Sequence, residues 1–182
     1  MNVKDIIDKY IIQEQHILEI ISERCADIDD FIEVKFNQDI LDNEVVFKKK
    51  KVLYYFEIIN INDNSSIDIC NKILTFKNKN KLPKLPKVNI NNAELKGSRI
   101  LYVGKSFGSF RQRIKQHLGK SSKKTYALHF NIWNNIFNKE VNLKLHFVSL
   151  DHIIKDNEDY LLEKYETAMH NELKPLLGRS GH

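Results

Sequence analysis

The sequence predicts an α+β domain preceded by a helical extension, and two observations lead to this prediction. Apolar residues recur at helical spacing near both ends of the chain, and β-branched or aromatic runs alternate with helical segments between them. From residue 51 onward the predicted order is strand, strand, helix, helix, strand, helix, which describes a small α+β fold. A length of 182 residues is sufficient for one such domain with an appendage.

The N-terminal part, residues 1–47, is predicted to be an acidic helical extension. A helix over residues 3–24 carries apolar residues on one face and acids on the other, and a shorter helix follows over 28–42. Two roles are open for the apolar face of the first helix, namely packing on the core or formation of a homodimer.

The second part, residues 48–182, begins with a predicted strand over 52–59, where β-branched and aromatic residues dominate. Residues 66–76 are compatible with either a short helix or a strand. An insert over 77–98 then separates the first two core strands. Its first part, 77–92, contains five lysines and two prolines, which predicts an extended basic loop.

After the insert, a strand is predicted over 99–106 and a helix over 108–119. Ser109 is the expected N-cap of this helix, and Gly119 is its expected C-terminal stop. The remaining predicted elements are a helix over 125–138, a half-buried strand over 141–150 and a helix over 157–174 that ends at Pro175.

The composition excludes several classes of protein. Hydrophobic residues make up 42% and charged residues 29%, so disorder throughout the chain is not expected. The N-terminus lacks a signal-peptide core, and no apolar run approaches the roughly 18 residues of a membrane helix. Two cysteines, Cys25 and Cys70, cannot form a zinc site by themselves. We therefore expect reduced thiols and a cytoplasmic location.

Charge is distributed unevenly along the chain. Residues 1–47 contain twelve acids and four Lys or Arg, whereas residues 77–124 contain fourteen Lys or Arg and the single acid Glu94. DNA is the expected partner of the basic segment, because phosphate contacts by Lys and Arg release condensed counterions. The alternative is a solvated basic face that folds against the acidic N-terminal segment.

Two groups of residues border the predicted apolar faces. On the helix over 108–119, Arg113 and His117 lie one turn apart beside an apolar stripe, so both are expected at the lip of a groove within reach of a phosphate. On the last helix, Glu166 borders the buried face, which predicts a carboxylate facing a cleft. One carboxylate with waters and phosphate oxygens suits a hard divalent ion such as magnesium.

The segment ILYVGKSFGSFRQRIKQHLG resembles the GIY-YIG nuclease superfamily. Tyr102-Val103-Gly104 corresponds to the second motif, Tyr-Ile-Gly, and Arg113 and His117 follow on the next helix. Glu166 stands nine residues before Pro175, as the metal-binding Glu of the family does. The first motif, Gly-Ile-Tyr, is replaced by Val52-Leu53-Tyr54 without its glycine, and Gly178 occupies the place of a common Asn.

The resemblance covers residues 51–178 and implies a small three-stranded antiparallel sheet flanked by helices. It also implies a DNA endonuclease of the restriction or defence type that depends on Mg²⁺ or Mn²⁺. Tyr54 or Tyr102 would orient and deprotonate the attacking water, and Arg113 would hold the phosphate. His117 would donate a hydrogen bond or act as general base, and Glu166 would bind the metal.

The basic segment supplies the residues expected to contact DNA phosphates, which are Lys81, Lys84, Lys87, Lys105 and Arg111. Tyr126 and the other histidines lack a consistent ligand spacing and are predicted to be structural. A second class of function stays open, because the missing first glycine and Gly178 are compatible with a catalytically inactive DNA-binding or structural module.

Overall fold

The computed structural model describes residues 3–42, 44, 49–60, 65–136 and 141–179. Within these residues, six α-helices and a four-stranded antiparallel sheet form an α+β fold. The helices are α1 (Val3–Cys25), α2 (Ser65–Lys79), α3 (Ile90–Lys96), α4 (Phe110–Leu118), α5 (Phe130–Ile136) and α6 (Asp159–Leu173). The strands are β1 (Ile32–Lys35), β2 (Val52–Ile58), β3 (Ile100–Ser106) and β4 (Leu143–Ser149).

The sheet has the order β1-β4-β2-β3. The predicted strands β2, β3 and β4 are confirmed, and β2 lies between the other two with both pairings antiparallel. Tyr54 on β2 is paired with Gly104 on β3 and with Phe147 on β4. This register brings the two tyrosine-bearing segments side by side, although about 40 residues separate them in the chain.

Two predictions are corrected by the structure: the sheet has a fourth strand, and the helix predicted over 28–42 is wrong. Strand β1 pairs with β4 through Ile32 to Lys35, and a 3-10 helix (Gln38–Asp42) follows. The segment IEVK alternates β-branched and charged residues, and it covers the edge of β4 that β2 leaves free. The last residues of the predicted extension, 43 and 45–47, lie outside the described part of the chain.

The insert between β2 and β3 is more ordered than the predicted basic loop. Helix α2 extends to Lys79, and α3 begins at Ile90, so only residues 80–89 of the predicted loop 77–92 lack a helix. Within that stretch Pro83, Leu85 and Pro86 are buried, whereas the three predicted DNA-contacting lysines, Lys81, Lys84 and Lys87, are exposed. The apolar residues therefore anchor the segment and leave its lysines in solvent.

Helix α5 covers only part of the helix predicted over 125–138. Residues 125–129 form an irregular segment, in which His129 adopts a positive φ of 48°. Residues 137 and 138 lie outside the described part of the chain. The irregular segment is important for the site, because its backbone groups face α4.

The core lies on both faces of the sheet. One face is covered by the large buried side chains of α4 and α5, including Phe110 and Trp133. The other face packs Leu53 and Val148 against α6. Helix α1 reaches this second face with its C-terminal half, where Ile17 is buried.

Helix α1 uses only part of its apolar face in the described structure. Two ion pairs hold it to the region of α6: Arg24 with Glu158 at 2.6 Å and Lys164 with Glu14 at 2.7 Å. The first of these lowers the pKa of Glu158 to about 2 through the hydrogen bond from the guanidinium group. Core packing is thus confirmed for the C-terminal half, while the homodimer remains a prediction.

No helix in the described ranges is both long enough and apolar enough to cross a membrane.

Candidate active site

Helix α4 begins and ends where the sequence predicts, and this determines which side chains reach the site. The Ser109 hydroxyl accepts a hydrogen bond from the Gln112 backbone N–H at 3.2 Å, and Gly119 ends the helix with a φ of +86°. With these ends, His117 points into the core and Arg113 lies half-buried at the edge.

Tyr54 lies at the centre of a hydrogen-bonded cluster. Its hydroxyl oxygen is 2.9 Å from Nε2 of His117 and accepts a hydrogen bond from Nε of Arg113 at 2.9 Å. The same guanidinium group donates through Nη2 to the Tyr102 hydroxyl at 3.3 Å. Four of the five predicted catalytic residues, from three secondary-structure elements, therefore form one network.

The proton position on His117 follows from its second hydrogen bond. The backbone N–H of Leu128 donates to Nδ1 of His117 at 3.2 Å, so Nδ1 has no proton and Nε2 carries it. Trp133 Nε1 donates to the Leu128 carbonyl at 2.7 Å and holds this segment in place. His117 is therefore the donor to Tyr54, and in this tautomer it cannot take the Tyr54 proton.

His117 also lies deeper than the sequence predicts. Its side chain is 0% exposed, so a phosphate in a groove does not reach it, and the expected position at the groove lip is wrong for this residue. Burial lowers its pKa well below the usual value, and the positive charge of Arg113 lowers it further. The physical reason is that the ring packs against Tyr54, Phe56 and Tyr102 of the sheet, while the Leu128 backbone N–H bonds to its Nδ1.

Burial governs the charge states of the tyrosines. It raises the pKa of Tyr54 well above the usual value, and Arg113 only partly offsets this. The pKa of Tyr102 is raised for the same reason. Burial alone would lower the pKa of Arg113, but the two tyrosine hydroxyls outweigh it and raise the value. Both tyrosines are thus neutral and Arg113 is charged near pH 7.

Gly104 is required by the packing of the two tyrosine rings. A Cβ atom on this residue would lie 2.6 Å from Cε1 of Tyr102 and 2.6 Å from the Tyr54 hydroxyl oxygen. Both distances are far below van der Waals contact. The glycine of the Tyr-Val-Gly segment therefore provides the space in which the two rings approach the β3 backbone.

Glu166 forms an ion pair with Lys105 beside this network. Lys105 Nζ donates to Oε2 of Glu166 at 2.5 Å, and the two side chains are only 11% and 13% exposed. Burial raises the pKa of Glu166, while Lys105 opposes this effect. The neighbouring Glu163 is more exposed and lies 3.9 Å from Lys105 Nζ. The prediction that Glu166 borders a cleft is confirmed.

A cleft of about 650 Å³ brings these side chains together at the edge of β3. From the predicted set, Tyr102, Arg113, Glu166, Lys105 and Lys87 line it. The cleft is also lined by three residues for which the sequence predicts no role in a site, namely Lys77, Tyr126 and Arg179. Five cations and one carboxylate therefore face the cleft within the described residues, which favours an anionic ligand.

Nothing in the sequence distinguishes Lys77 and Arg179 as residues of a site. Lys77 is one of many lysines in the basic segment, and Arg179 lies several residues after the last helix. Tyr126, which the sequence predicts to be structural, lines the cleft, and its backbone carbonyl accepts a hydrogen bond from Nη1 of Arg113 at 3.1 Å. Its ring also lies under the ammonium group of Lys84, 5.4 Å from Nζ.

The remaining predicted phosphate-contacting residues lie outside the cleft. Lys81 is exposed on the insert, away from the lining side chains. Arg111 donates to the Leu41 carbonyl of the 3-10 helix at 3.2 Å, which attaches α4 to that segment.

The turn after Pro175 closes one end of the cleft. Gly178 adopts a φ of +115°, and its backbone N–H donates to the Lys87 carbonyl at 2.8 Å. The side-chain amide of Asn89 donates to the carbonyls of Gly178 and Pro175, at 3.0 and 3.2 Å. An Asn from the insert therefore stabilises the turn at which the sequence departs from the family pattern.

The donor set of the cleft fits a magnesium-like ion better than a fully caged metal. No group of three or more His, Cys, Asp or Glu side chains suited to a metal occurs among the described residues. Glu166 offers one carboxylate, already paired with a cation, in an open cleft that admits water and phosphate oxygens. Mg²⁺ and Mn²⁺ accept such a mixed set of oxygen ligands, whereas a structural zinc site needs four protein ligands.

No protein-family model, curated protein or solved structure matches this chain.

Proposed function

We propose that this chain is a metal-dependent DNA endonuclease of the GIY-YIG type, acting as a restriction or defence nuclease. One observation carries the proposal: Arg113 hydrogen-bonds the tyrosines of both motif-like segments and shares a cleft with Glu166. In this proposal β2, β3 and β4 correspond to the three core strands of the family, and β1 is an addition at the edge.

The phosphate would bind against Arg113 in the cleft. The guanidinium group is held from several sides, by the two tyrosine hydroxyls, by Gln116 Oε1 at 2.9 Å and by the Tyr126 carbonyl. Its orientation is therefore set before the substrate arrives. A pre-oriented charge stabilises the negative charge that develops on the non-bridging oxygens without reorganisation during the reaction.

The two tyrosines would have different roles. Tyr102 lines the cleft, whereas Tyr54 is completely buried and its oxygen already accepts from Arg113 and His117. We therefore assign orientation of the attacking water to Tyr102. Because burial raises the pKa of Tyr102, it would not remove the proton of the water, contrary to what the resemblance implies. Tyr54 acts as a positioning residue that holds Arg113 and is itself held by His117. This division favours one of the two alternatives that the sequence leaves open.

Glu166 would hold the divalent ion, since it is the one carboxylate among the described residues that line the cleft. The chemistry that such an ion supplies is neutralisation of charge on the leaving oxygen. Lys105 pairs with Glu166 in the structure, so it is close enough to the proposed metal ligand to contact the same phosphate.

The second candidate, a catalytically inactive DNA-binding module, is favoured by the same ion pair. A lysine ammonium group that satisfies Glu166 removes the need for a metal, and the cleft would then bind phosphate without hydrolysis. The two candidates differ in a single observable, namely cleavage that requires a divalent ion.

Nicking of supercoiled plasmid, with and without Mg²⁺, tests the proposal. The wild type should nick only with the metal. Glu166→Gln should lose nicking while it retains DNA binding in the absence of metal. Glu163→Gln is the matched control, because it removes an exposed carboxylate three residues earlier on α6, and it should cut like the wild type.

A wild-type protein that binds plasmid but never nicks it with Mg²⁺ or Mn²⁺ would support the inactive module. Cleavage by Glu166→Gln at the wild-type rate would overturn the assignment of the metal ligand.

A further inference from the structure

A second groove continues the cleft across the C-terminal tail. It has a volume of about 570 Å³ and shares Lys87, Gly178 and Arg179 with the cleft. Its remaining polar lining comes from the start of α3 and the end of α6, namely Asn89, Asn91, Asn92, His170, Asn171 and Lys174. The two cavities therefore adjoin each other at Lys87 and the C-terminal tail, with Arg113 lining the first cavity and the end of α6 lining the second.

The chemistry of this groove is cationic and rich in amides. Lys87, Lys174 and Arg179 supply three positive charges, and none of its described lining residues is a carboxylate. Cationic and side-chain amide groups are the usual contacts of proteins to phosphate and sugar atoms of nucleic acids. The groove therefore suits a chain of phosphates and extends the positive lining of the cleft.

The backbone that carries these cations is held in place. Lys174 adopts a positive φ of 48° at the end of α6, with its N–H bonded to the His170 carbonyl at 3.1 Å. The Gly178 N–H bonds to the Lys87 carbonyl, which connects the tail to the insert. The insert and the tail thus form a single rim, and the cations on it are presented together.

Like charges on this rim lie close enough to affect one another. Burial lowers the pKa of Lys77, and the positive charge of Arg179 lowers it further. Lys77 Nζ is bonded to a neutral group, the Pro86 carbonyl, at 3.0 Å. A bound anion between the cleft and the groove would relieve the repulsion.

We propose that the groove binds the backbone phosphates of the DNA strand that continues from the cleft, with Lys87, Lys174 and Arg179 as the phosphate contacts. This inference rests on the proposed function, because it takes Arg113 as the position of the scissile phosphate. It also gives the insert a role in substrate binding, since the insert supplies Lys87 and the amides of α3.

DNA binding by a double variant, Lys174→Gln with Arg179→Gln, tests the groove. The matched control is Lys9→Gln with Lys35→Gln, which removes two exposed charges on α1 and β1, away from both cavities. Fluorescence anisotropy with a duplex oligonucleotide, without divalent ions, gives Kd over a series of salt concentrations. Thermal melting verifies that every variant is folded.

The groove variant should bind DNA about tenfold more weakly at 0.1 M salt, and its plot of log K against log salt should be shallower by about one to two units. The control should stay within about twofold of the wild type, with the same slope. Groove and control variants with equal affinity and equal slope would overturn the inference.

The outcomes separate this inference from the proposed function. If the wild type does not cut DNA but the groove variant loses affinity, the groove is retained and the nuclease proposal fails. If the wild type cuts and the groove variant binds normally, the nuclease proposal is retained and the groove fails.

Discussion

The hydroxyl oxygen of Tyr54 lies 2.9 Å from Nε2 of His117, and the proton between them belongs to the histidine. This follows because Nδ1 of His117 already accepts a hydrogen bond from the Leu128 backbone. Tyr54 therefore receives hydrogen bonds from both His117 and Arg113. Removing either donor or the shared acceptor should therefore disturb the other two groups.

Gly104→Ala should destabilise the protein and disrupt the site. The added methyl group would lie 2.6 Å from both tyrosine side chains, and such overpacking typically costs about 1–3 kcal/mol. Urea denaturation gives the change in the free energy of unfolding, and the nicking assay gives the activity. Gly108→Ala is the control, because its Cβ would meet no atom within 4 Å. Equal stability of the two variants would contradict the packing argument.

The two Tyr→Phe variants should differ from each other. Tyr54→Phe leaves the buried donors of Arg113 and His117 without their acceptor, so it should cost about 1–3 kcal/mol of stability as well as activity. Tyr102→Phe loses one longer hydrogen bond, so its stability should change little. Its cleavage rate should fall by about two or more orders of magnitude if Tyr102 contacts the water.

Denaturation curves and single-turnover rates measure both effects. A fully active Tyr102→Phe variant together with an inactive but stable Tyr54→Phe variant would reverse the roles assigned to the two tyrosines.

His117→Gln should make the stability of the protein less dependent on pH. The pKa of His117 is lowered in the folded state, so above about pH 6.5 both the folded and unfolded forms are neutral. Below that pH the unfolded chain takes up a proton that the folded protein excludes, and stability falls. This one group therefore makes the wild type lose stability progressively as the pH falls below about 6.5.

The measurement is the free energy of unfolding at several pH values, compared between the wild type and His117→Gln. The matched control is His16→Gln, which removes an exposed imidazole of α1. A His117→Gln variant with an unchanged slope would mean that the buried ring binds its proton as readily in the folded state as in the unfolded chain.

Neutralising Lys81, Lys84 and Lys87 together should weaken DNA binding and flatten its salt dependence by one to three units. Each lysine that contacts a phosphate contributes a slope of about −0.9. Of these three lysines, only Lys87 lines the cleft, and Lys84 lies over the Tyr126 ring. Among the single variants, Lys87→Gln should therefore reduce DNA affinity more than Lys81→Gln. Binding curves at four or more salt concentrations give the slopes. An unchanged slope in the triple variant would mean that the insert lysines do not contact DNA phosphates.

Several elements were predictable because their signals are local. The caps of α4, Ser109 and Gly119, depend only on backbone groups within a few residues, and strands β2 and β4 carry a strong β-branched and aromatic pattern. The fourth strand was missed because the four residues of β1 are too few for a clear pattern, and their strand conformation depends on the free edge of β4.

The features of the candidate site also fall into two groups, those with a local signal in the sequence and those that depend on distant segments. The residue types and their spacings can be read from the sequence, with Tyr102 and Gly104 on one strand, Arg113 on the next helix and Glu166 on the last. Three features cannot be read from it: His117 is buried away from the cleft, Lys105 pairs with Glu166, and Arg179 lies with Lys77 and Lys87 on one rim. The physical reason is that capping and periodicity act over a few residues, whereas burial and charge pairing depend on segments that are distant in the chain and meet only in the folded protein.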